Sequence, residues 1–311
     1  MADLLNPIFL DEELAREHLE ALRWPNGRVC AHCGVVNESG LTASKNHKPG
    51  LYYCNACGKT FTVTVGTLFE RSHVPLNKWL MAFHLMAASK KGMSAKQIER
   101  MLGVTYKTAW FMCHRIREAM TNEFGGLLGG GSGIVEADET YWGNTGKQRD
   151  GARGYAHKMK IVSLVERDGE KRSYHVANVT AETVRPILKS QVKASARLMT
   201  DEAAVYTKVG REFAEHSFVR HGAKEYARGD VCTNTVESSF AILKRGLNGT
   251  FHSVSEKHLQ RYCHEFDFRW NTRMSLGFND ADRATIALKG IEGKRLTYRR
   301  IGGQSTEAHA Q

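Results

Sequence analysis

The first run of helical spacing lies at residues 8–23, where Leu10, Leu14, Leu19 and Leu22 recur at close to helical period. Trp24-Pro25-Asn26-Gly27 breaks it. From Leu76 to Lys91, the positions Trp79, Leu80, Phe83, Leu85 and Met86 predict a buried helix that Gly92 ends. Two further helices are expected over 94–119, and the intervening stretch to Phe69 reads as short strands and turns. Beyond residue 134 the pattern changes to apolar strand-like runs near 134–142, 158–167, 172–178 and 196–200. Helical stretches at 181–192, 234–245 and 256–273 are interleaved with and follow these runs. Antiparallel strands first and helix–strand alternation later imply a mixed α/β sheet flanked by helices.

Between these two halves, residues 124–133 carry six glycines in ten positions, a composition with little to pack and much entropy to lose. A multidomain chain is expected: an N-terminal helix (1–27), a cysteine-bearing ribbon (28–70), a helical region (75–120), a glycine-rich linker (124–133), an α/β domain (134–275) and a basic tail (276–311). Lys294-Arg295-Leu296-Thr297-Tyr298-Arg299-Arg300 gives that tail its charge, and disorder is expected for the last ten residues.

Charge sharpens the picture. With a formal net charge of +11 over 311 residues, the chain points towards a polyanionic partner. No stretch approaches the roughly eighteen apolar residues of a membrane span. The amino terminus lacks the basic and apolar regions of a secretion signal, so a cytoplasmic location is expected. The seven cysteines fit a reducing compartment better than a disulfide framework.

Four of those cysteines form two Cys-x-x-Cys pairs, Cys30/Cys33 and Cys54/Cys57, with twenty residues between them. Gly34 and Gly58 follow the second cysteine of each pair and allow the tight turn that aims both thiolates at one tetrahedral ion. One structural Zn²⁺ is expected, with all four positions taken by thiolates and no open site for catalysis. His32 and His47 are read as surface residues. Tyr52, Tyr53, Lys59 and Thr60 on the ribbon strands suit either DNA or a neighbouring domain.

Residues 94–111 have the rhythm of a helix-turn-helix. Ser94 and Gln97 suggest a capping box, Ile98 and Leu102 face inward, Gly103 turns the chain and Thr105 caps a second helix. Tyr106, Lys107 and Thr108 then occupy the end of that helix that enters a major groove, with Arg115 and Arg117 expected to hold phosphates.

Asp138 and Asp201 each close an apolar run, where a solvated acid has no need to be, and Glu237 opens a helical stretch with thirty-five residues between it and Asp201. Two acids at strand ends and one on a later helix is how a fold gathers carboxylates around Mg²⁺, or Mn²⁺, for phosphoryl transfer. Glu237 and Lys244 are seven apart and share a helix face, with Asn234 and Arg245 roughly on that side.

Here the chain resembles prokaryotic insertion-sequence transposases that join a zinc ribbon and helix-turn-helix to a DDE-type, ribonuclease-H-like domain. The resemblance rests on the cysteine pairs, Glu136-Ala-Asp-Glu-Thr-Tyr141, Gly154-Tyr-Ala-His-Lys-Met-Lys160, Thr200-Asp-Glu-Ala203, Thr233-Asn-Thr-Val-Glu-Ser238, Leu243-Lys-Arg-Gly246 and Arg261-Tyr-Cys-His-Glu-Phe-Asp-Phe-Arg-Trp-Asn271. It implies that Asp138 and Asp201 bind two metal ions. Such proteins carry Asn or Glu at the third position, followed by lysine, so Asn234 and Glu237 both stand as candidates; charge favours Glu237. The implied activity is hydrolysis at the element's ends followed by strand transfer, with double-stranded DNA as partner and a dimer or larger assembly to hold two ends. Lys244, His157 and Lys158 are candidates for phosphate contacts, as is Arg245, while Tyr141, Tyr155 and Tyr206 are read as packing residues. Competing readings are a non-catalytic DNA-binding regulator and a structure-specific nuclease.

Overall fold

The computed structural model describes residues 4–42, 49–121, 125–145 and 154–297. The expectations for His47 and for the last ten residues lie outside them, as do the final residues of the basic stretch beyond Thr297.

Helix α1 (Glu12–Arg23) starts later than its apolar spacing suggests, because the Asp11 carboxylate accepts from the backbone of Glu13 and Leu14 and fixes the first turn there. Pro7–Phe9 form a separate 3₁₀ turn. Ala15 and Leu19 are buried, whereas Leu10 and Leu14 face solvent. The ribbon follows as three short antiparallel strands, β1 (Ser39–Leu41), β2 (Tyr52–Cys54) and β3 (Thr60–Phe61). Helices α2 (Leu76–Ala88), α3 (Ala95–Leu102) and α4 (Tyr106–Ala119) come next. Ser94 caps α3 by accepting from the Gln97 amide, Gly103 ends it in the left-handed region at φ 61°, and Thr105 caps α4.

The second half contains β4 (Ile134–Trp142), β5 (Met159–Glu166), β6 (Lys171–Val176), α5 (Ala181–Gln191), β7 (Arg197–Thr200), α6 (Ala204–Val209) and β8 (Glu215–Phe218). A small hairpin, β9 (Ala227–Arg228) and β10 (Val231–Cys232), leads into α7 (Asn234–Gly246), α8 (Glu256–Asn271) and α9 (Asp280–Lys289). The large sheet has the order β6-β5-β4-β7-β8, antiparallel across its first three strands and parallel from β4 to β8. Val135 and Ala137 point from β4 into the core beneath α5 and α6, while Trp142 shares the opposite core with residues of α7 and α8. The expected strands and helices of this half all appear; β8 went unread because Glu215-His-Ser-Phe218 lacks apolar alternation.

Strand β6 lies at a sheet edge whose free backbone groups would otherwise invite another strand. Side chains of α8 occupy them. Asn271 accepts from the Lys171 amide (2.7 Å) and donates to its carbonyl (2.9 Å). Asp267 accepts from the Ser173 amide (2.7 Å), and Gln260 bridges the Ser173 carbonyl and the His175 amide. The polar positions between Gln260 and Asn271 therefore serve this edge.

Two expected boundaries differ from the structure. The glycine-rich segment is no free linker: Leu128 is buried in the sheet core, its amide donates to the Gln191 carbonyl (2.7 Å), and the Gly131 amide donates to Glu166 (2.7 Å). Nor is the region from 276 wholly a tail. Asn279 and Asp282 form a capping box for α9, whose Ala287 and Leu288 join Trp79, Phe83 and Ile116 in the helical core of the first half. Between the halves, Arg117 of α4 pairs with the wholly buried Glu265 of α8 (2.6 Å), which also holds Arg269 (2.8 Å).

Candidate functional site

In the ribbon, the Cys30 and Cys57 sulfurs lie 3.8 Å apart and those of Cys33 and Cys54 3.7 Å apart, with all four within 4.8 Å of one another. Zinc–sulfur bonds of about 2.3 Å in a tetrahedron require sulfur separations near ~3.8 Å, which these two pairs match. Gly34 and Gly58 adopt the positive φ that the two knuckles need, 76° and 68°. Tyr52 turns towards α1, donating to Glu20 (2.8 Å) beneath the Arg28 guanidinium. Tyr53, Lys59 and Thr60 stay exposed, so strand alternation divides the ribbon into a packing face and an open one.

The carboxylate site begins with β4. Strands β4 and β7 run parallel with Glu136 opposite Met199, and continuing that register by two residues sets Asp138 beside Asp201. Glu136 and Asp138 are two apart and so share the face that α7 covers. Glu136 is fully buried and accepts from the Thr235 and Val236 amides (2.8 and 3.0 Å) and the Thr235 hydroxyl (2.9 Å). A carboxylate at the amino end of α7 satisfies amides that have no partner within the helix and interacts favourably with its dipole. Arg167 neutralises it at 2.7 Å. This buried clamp locates the first turn of α7, and with it Glu237, against the strand that carries Asp138.

Burial pushes the Asp138 carboxyl up to about 8, and the charges of Asp201, Glu139 and Glu237 push the same way, against the Glu139 amide that donates to it at 2.7 Å. Crowding of acids with insufficient local cation is the electrostatic condition that a bound divalent ion relieves. The carboxylates of Asp138, Asp201 and Glu237 are not all within 4.8 Å of one another. A pair of ions about 3.5–4 Å apart, each with oxygen bonds near ~2.1 Å, calls for ligands spread more widely than that. Glu237 accepts from the Thr233 hydroxyl (2.9 Å) and lies 3.3 Å from His221 Nε2. Asn234 is the exposed first residue of α7, one turn before Glu237. On the other face of β4, Glu139 accepts from the buried Tyr206 hydroxyl (2.9 Å), which gives that tyrosine its packing role.

Lys244 and Lys158 line one open cavity with Tyr141, Trp142 and Asn248, two turns along α7 from Glu237 and four residues along β4 from Asp138. A π-helical turn at Leu247–Phe251 ends α7 there, and Asn248 accepts from the Trp142 indole (2.8 Å). Arg245 departs from expectation. One residue of helix rotation turns it into a different groove, with Lys90, Lys91 and Trp270. Tyr155 is exposed and stacks on Tyr141 with ring centres 4.7 Å apart.

Within the helical region, Tyr106 and Lys107 are exposed at the start of α4, and Lys96 sits over the Tyr106 ring at 4.7 Å. Arg115 and Arg117 are corrections. Arg115 donates to the Leu68 and Leu296 carbonyls, and Arg117 is held by Glu265; both are buried in the helical core and do not present their guanidinium groups to a phosphate. The two lie on opposite sides of α4: the segments at Leu68 and Leu296 enclose Arg115, and α8 encloses Arg117 through Glu265. Glu136, Arg167, Thr233 and His221 escaped the sequence reading. The available signal was Glu136, an acid at an inward alternating position two residues before Asp138.

Residues 131–271 match the ISXO2-like transposase domain family, and residues 10–60 match the transposase zinc-ribbon domain family. The chain is 30% identical over 277 residues to an uncharacterized protein in transposable element ISH50 of Halobacterium salinarum, covering 84% of this chain and 91% of that one. Among the described residues, no helix is long and apolar enough to cross a membrane.

Proposed function

This chain belongs to the insertion-sequence transposases of the IS1595 type, and we propose that it cuts DNA at the terminal inverted repeats of its element and joins the freed ends to target DNA. The observation that carries this reading is the parallel register of β4 and β7, which sets Asp138 beside Asp201 under the helix that bears Glu237. Asp138, Asp201 and Glu237 would hold two Mg²⁺ ions, which when bound activate the attacking hydroxyl and stabilise the departing 3′ oxygen. Asp138, whose carboxylate is crowded by Asp201, Glu139 and Glu237, would be a ligand to these ions. Lys244 and Lys158 hold the strand beside the cut through its phosphates, and Asn234 orients the strand at the amino end of α7. The proposed reaction has two steps, with water and then the freed 3′-hydroxyl as the attacking group.

The amino-terminal half supplies recognition. The first turn of α4 presents Tyr106, Lys107 and Thr108 to a major groove, and the open face of the zinc ribbon lies on the same chain segment for backbone contacts. Joining requires two ends at once, so the working form is a dimer or larger assembly on DNA.

The test is nicking of a duplex that carries the element end, in Mg²⁺, by the wild type and by the Asn234→Ala and Glu237→Gln variants. Glu237→Gln should lower the rate by at least ~100-fold, the scale of losing a charge-bearing metal ligand, while Asn234→Ala keeps measurable nicking. Full nicking by Glu237→Gln would remove it from the metal site. Tight binding by the wild type with no cut in Mg²⁺ or Mn²⁺ would favour a DNA-binding regulator.

A further inference from the structure

Away from the carboxylates, the end of α2 meets α7 and α8 in a groove of about 350 Å³. Its rim is cationic: Lys90 and Lys91 follow α2, Arg245 comes from α7 and Arg273 follows α8. Lys90, Lys91 and Arg245 are exposed, and among the described residues none of the three is in an ion pair. No carboxylate lines the groove. Its apolar lining comes from Ile242, Phe266, Trp270 and the exposed Met274, while the buried Lys171, Arg269 and Arg283 that also reach it are each paired to an acid within the protein. The Arg273 guanidinium lies over the Trp270 ring at 4.9 Å.

Cations alone would suit any phosphate. A cationic rim above an apolar and aromatic floor suits a strand whose base is unpaired, since phosphates take the rim while a base is withdrawn from water below. The charge pattern also excludes an acidic-poor apolar peptide as the better occupant, because four cations would then remain without anions. The groove is built on the far side of α7 from Lys244, so one helix separates it from the proposed cutting centre.

We propose that this groove binds an unpaired nucleotide of the DNA, with its flanking phosphates on Lys90, Lys91, Arg245 and Arg273 and its base against Trp270 and Met274. The choice of DNA as the polyanion rests on the transposase reading; the preference for an unpaired base rests on the groove itself. Such a site would hold a strand end opened near the cut, keeping it from re-annealing.

The experiment measures binding of the full chain, in Mg²⁺-free buffer, to a fluorescent twelve-nucleotide oligothymidylate and to an abasic phosphodiester of equal length. Oligothymidylate should bind the wild type at least tenfold more tightly than the abasic strand. The Lys90→Glu/Lys91→Glu double variant should bind oligothymidylate at least tenfold more weakly, with a shallower salt dependence. Met274→Glu, at an exposed position that the fold does not need, should narrow the gap between the two probes. Equal binding of the two probes by the wild type, or an unchanged affinity in the double variant, would overturn the proposal. Thermal melting checks that the variants are folded, and Arg245→Glu replaces the double variant if that one is not. Duplex nicking by the same wild-type preparation separates the two ideas: nicking with an unaltered double variant defeats the groove alone, whereas a wild type that neither nicks nor binds DNA defeats both.

Discussion

Glu136 and Asp138, two residues apart on one strand face, put the same functional group to opposite uses. Glu136 is satisfied by three donors and Arg167, and it fixes α7. Asp138 has one backbone donor and acidic neighbours, and its carboxyl is held up near 8. The difference is which partners the surrounding chain provides, and it separates a structural acid from one suited to an ion. His114 shows a third kind of burial. Neither ring nitrogen has a hydrogen-bond partner, the ring packs against both Trp110 and His258, and burial pushes its pKa down to about 2, with the charges of Arg117, His258 and Arg261 acting in the same direction. The folded state therefore holds His114 neutral, and the unfolded chain takes up a proton below about 6.5. Its contribution is complete above that pH and is lost as pH falls, by about 1.4 kcal/mol per unit. Unfolding free energies from urea titrations at pH 7.5, 6.0 and 5.0 should fall less steeply for His114→Phe than for the wild type. Parallel slopes would mean that another group sets the acid sensitivity.

At the scale of elements, the zinc ribbon has too little apolar material to fold unaided: its core is Cys30, Tyr52, Cys54 and Phe61 with a few half-buried neighbours. Metal binding must then supply its folding free energy. Chelation should raise amide hydrogen exchange across 28–42 and 49–62 well before α2, α4 or the large sheet responds, and uniform protection after verified zinc removal would contradict this. The ribbon was legible in the sequence because Cys-x-x-Cys-Gly binds local spacing directly to metal geometry. The strands and helices around Asp138, Asp201 and Glu237 were legible for a similar reason, since long apolar runs declare themselves. What the sequence hid depends on distant partners. Arg115 and Arg117 look like surface cations until the Leu68 and Leu296 carbonyls take up the first and Glu265 of α8 the second, and the glycine-rich segment looks free until Leu128 finds the sheet core. Arg245 and Lys244 look alike until a single step of helix rotation divides them between two grooves.

Across the whole molecule, the two halves are not loosely tethered. Helix α9 returns from the end of the α/β half to pack against α2 and α4, and the Arg117–Glu265–Arg269 cluster is buried where α4 meets α8. A buried charge cluster of this kind contributes little net stability, yet removing one member is costly, so it fixes orientation more than it adds strength. Under the proposed function, a rigid joint would hold a recognised sequence at a set distance from the bond to be cut. The proposed metal site rests on the carboxylates of the α/β half, and paired assays on Asp138→Asn probe it. DNA-end affinity and Mg²⁺-dependent nicking are measured on the same preparation. The variant should bind within about twofold of the wild type and lose nicking by at least ~1,000-fold, on the scale of removing transition-state charge stabilisation. Nicking at the wild-type rate by Asp138→Asn would show that the ions, if any, are held elsewhere.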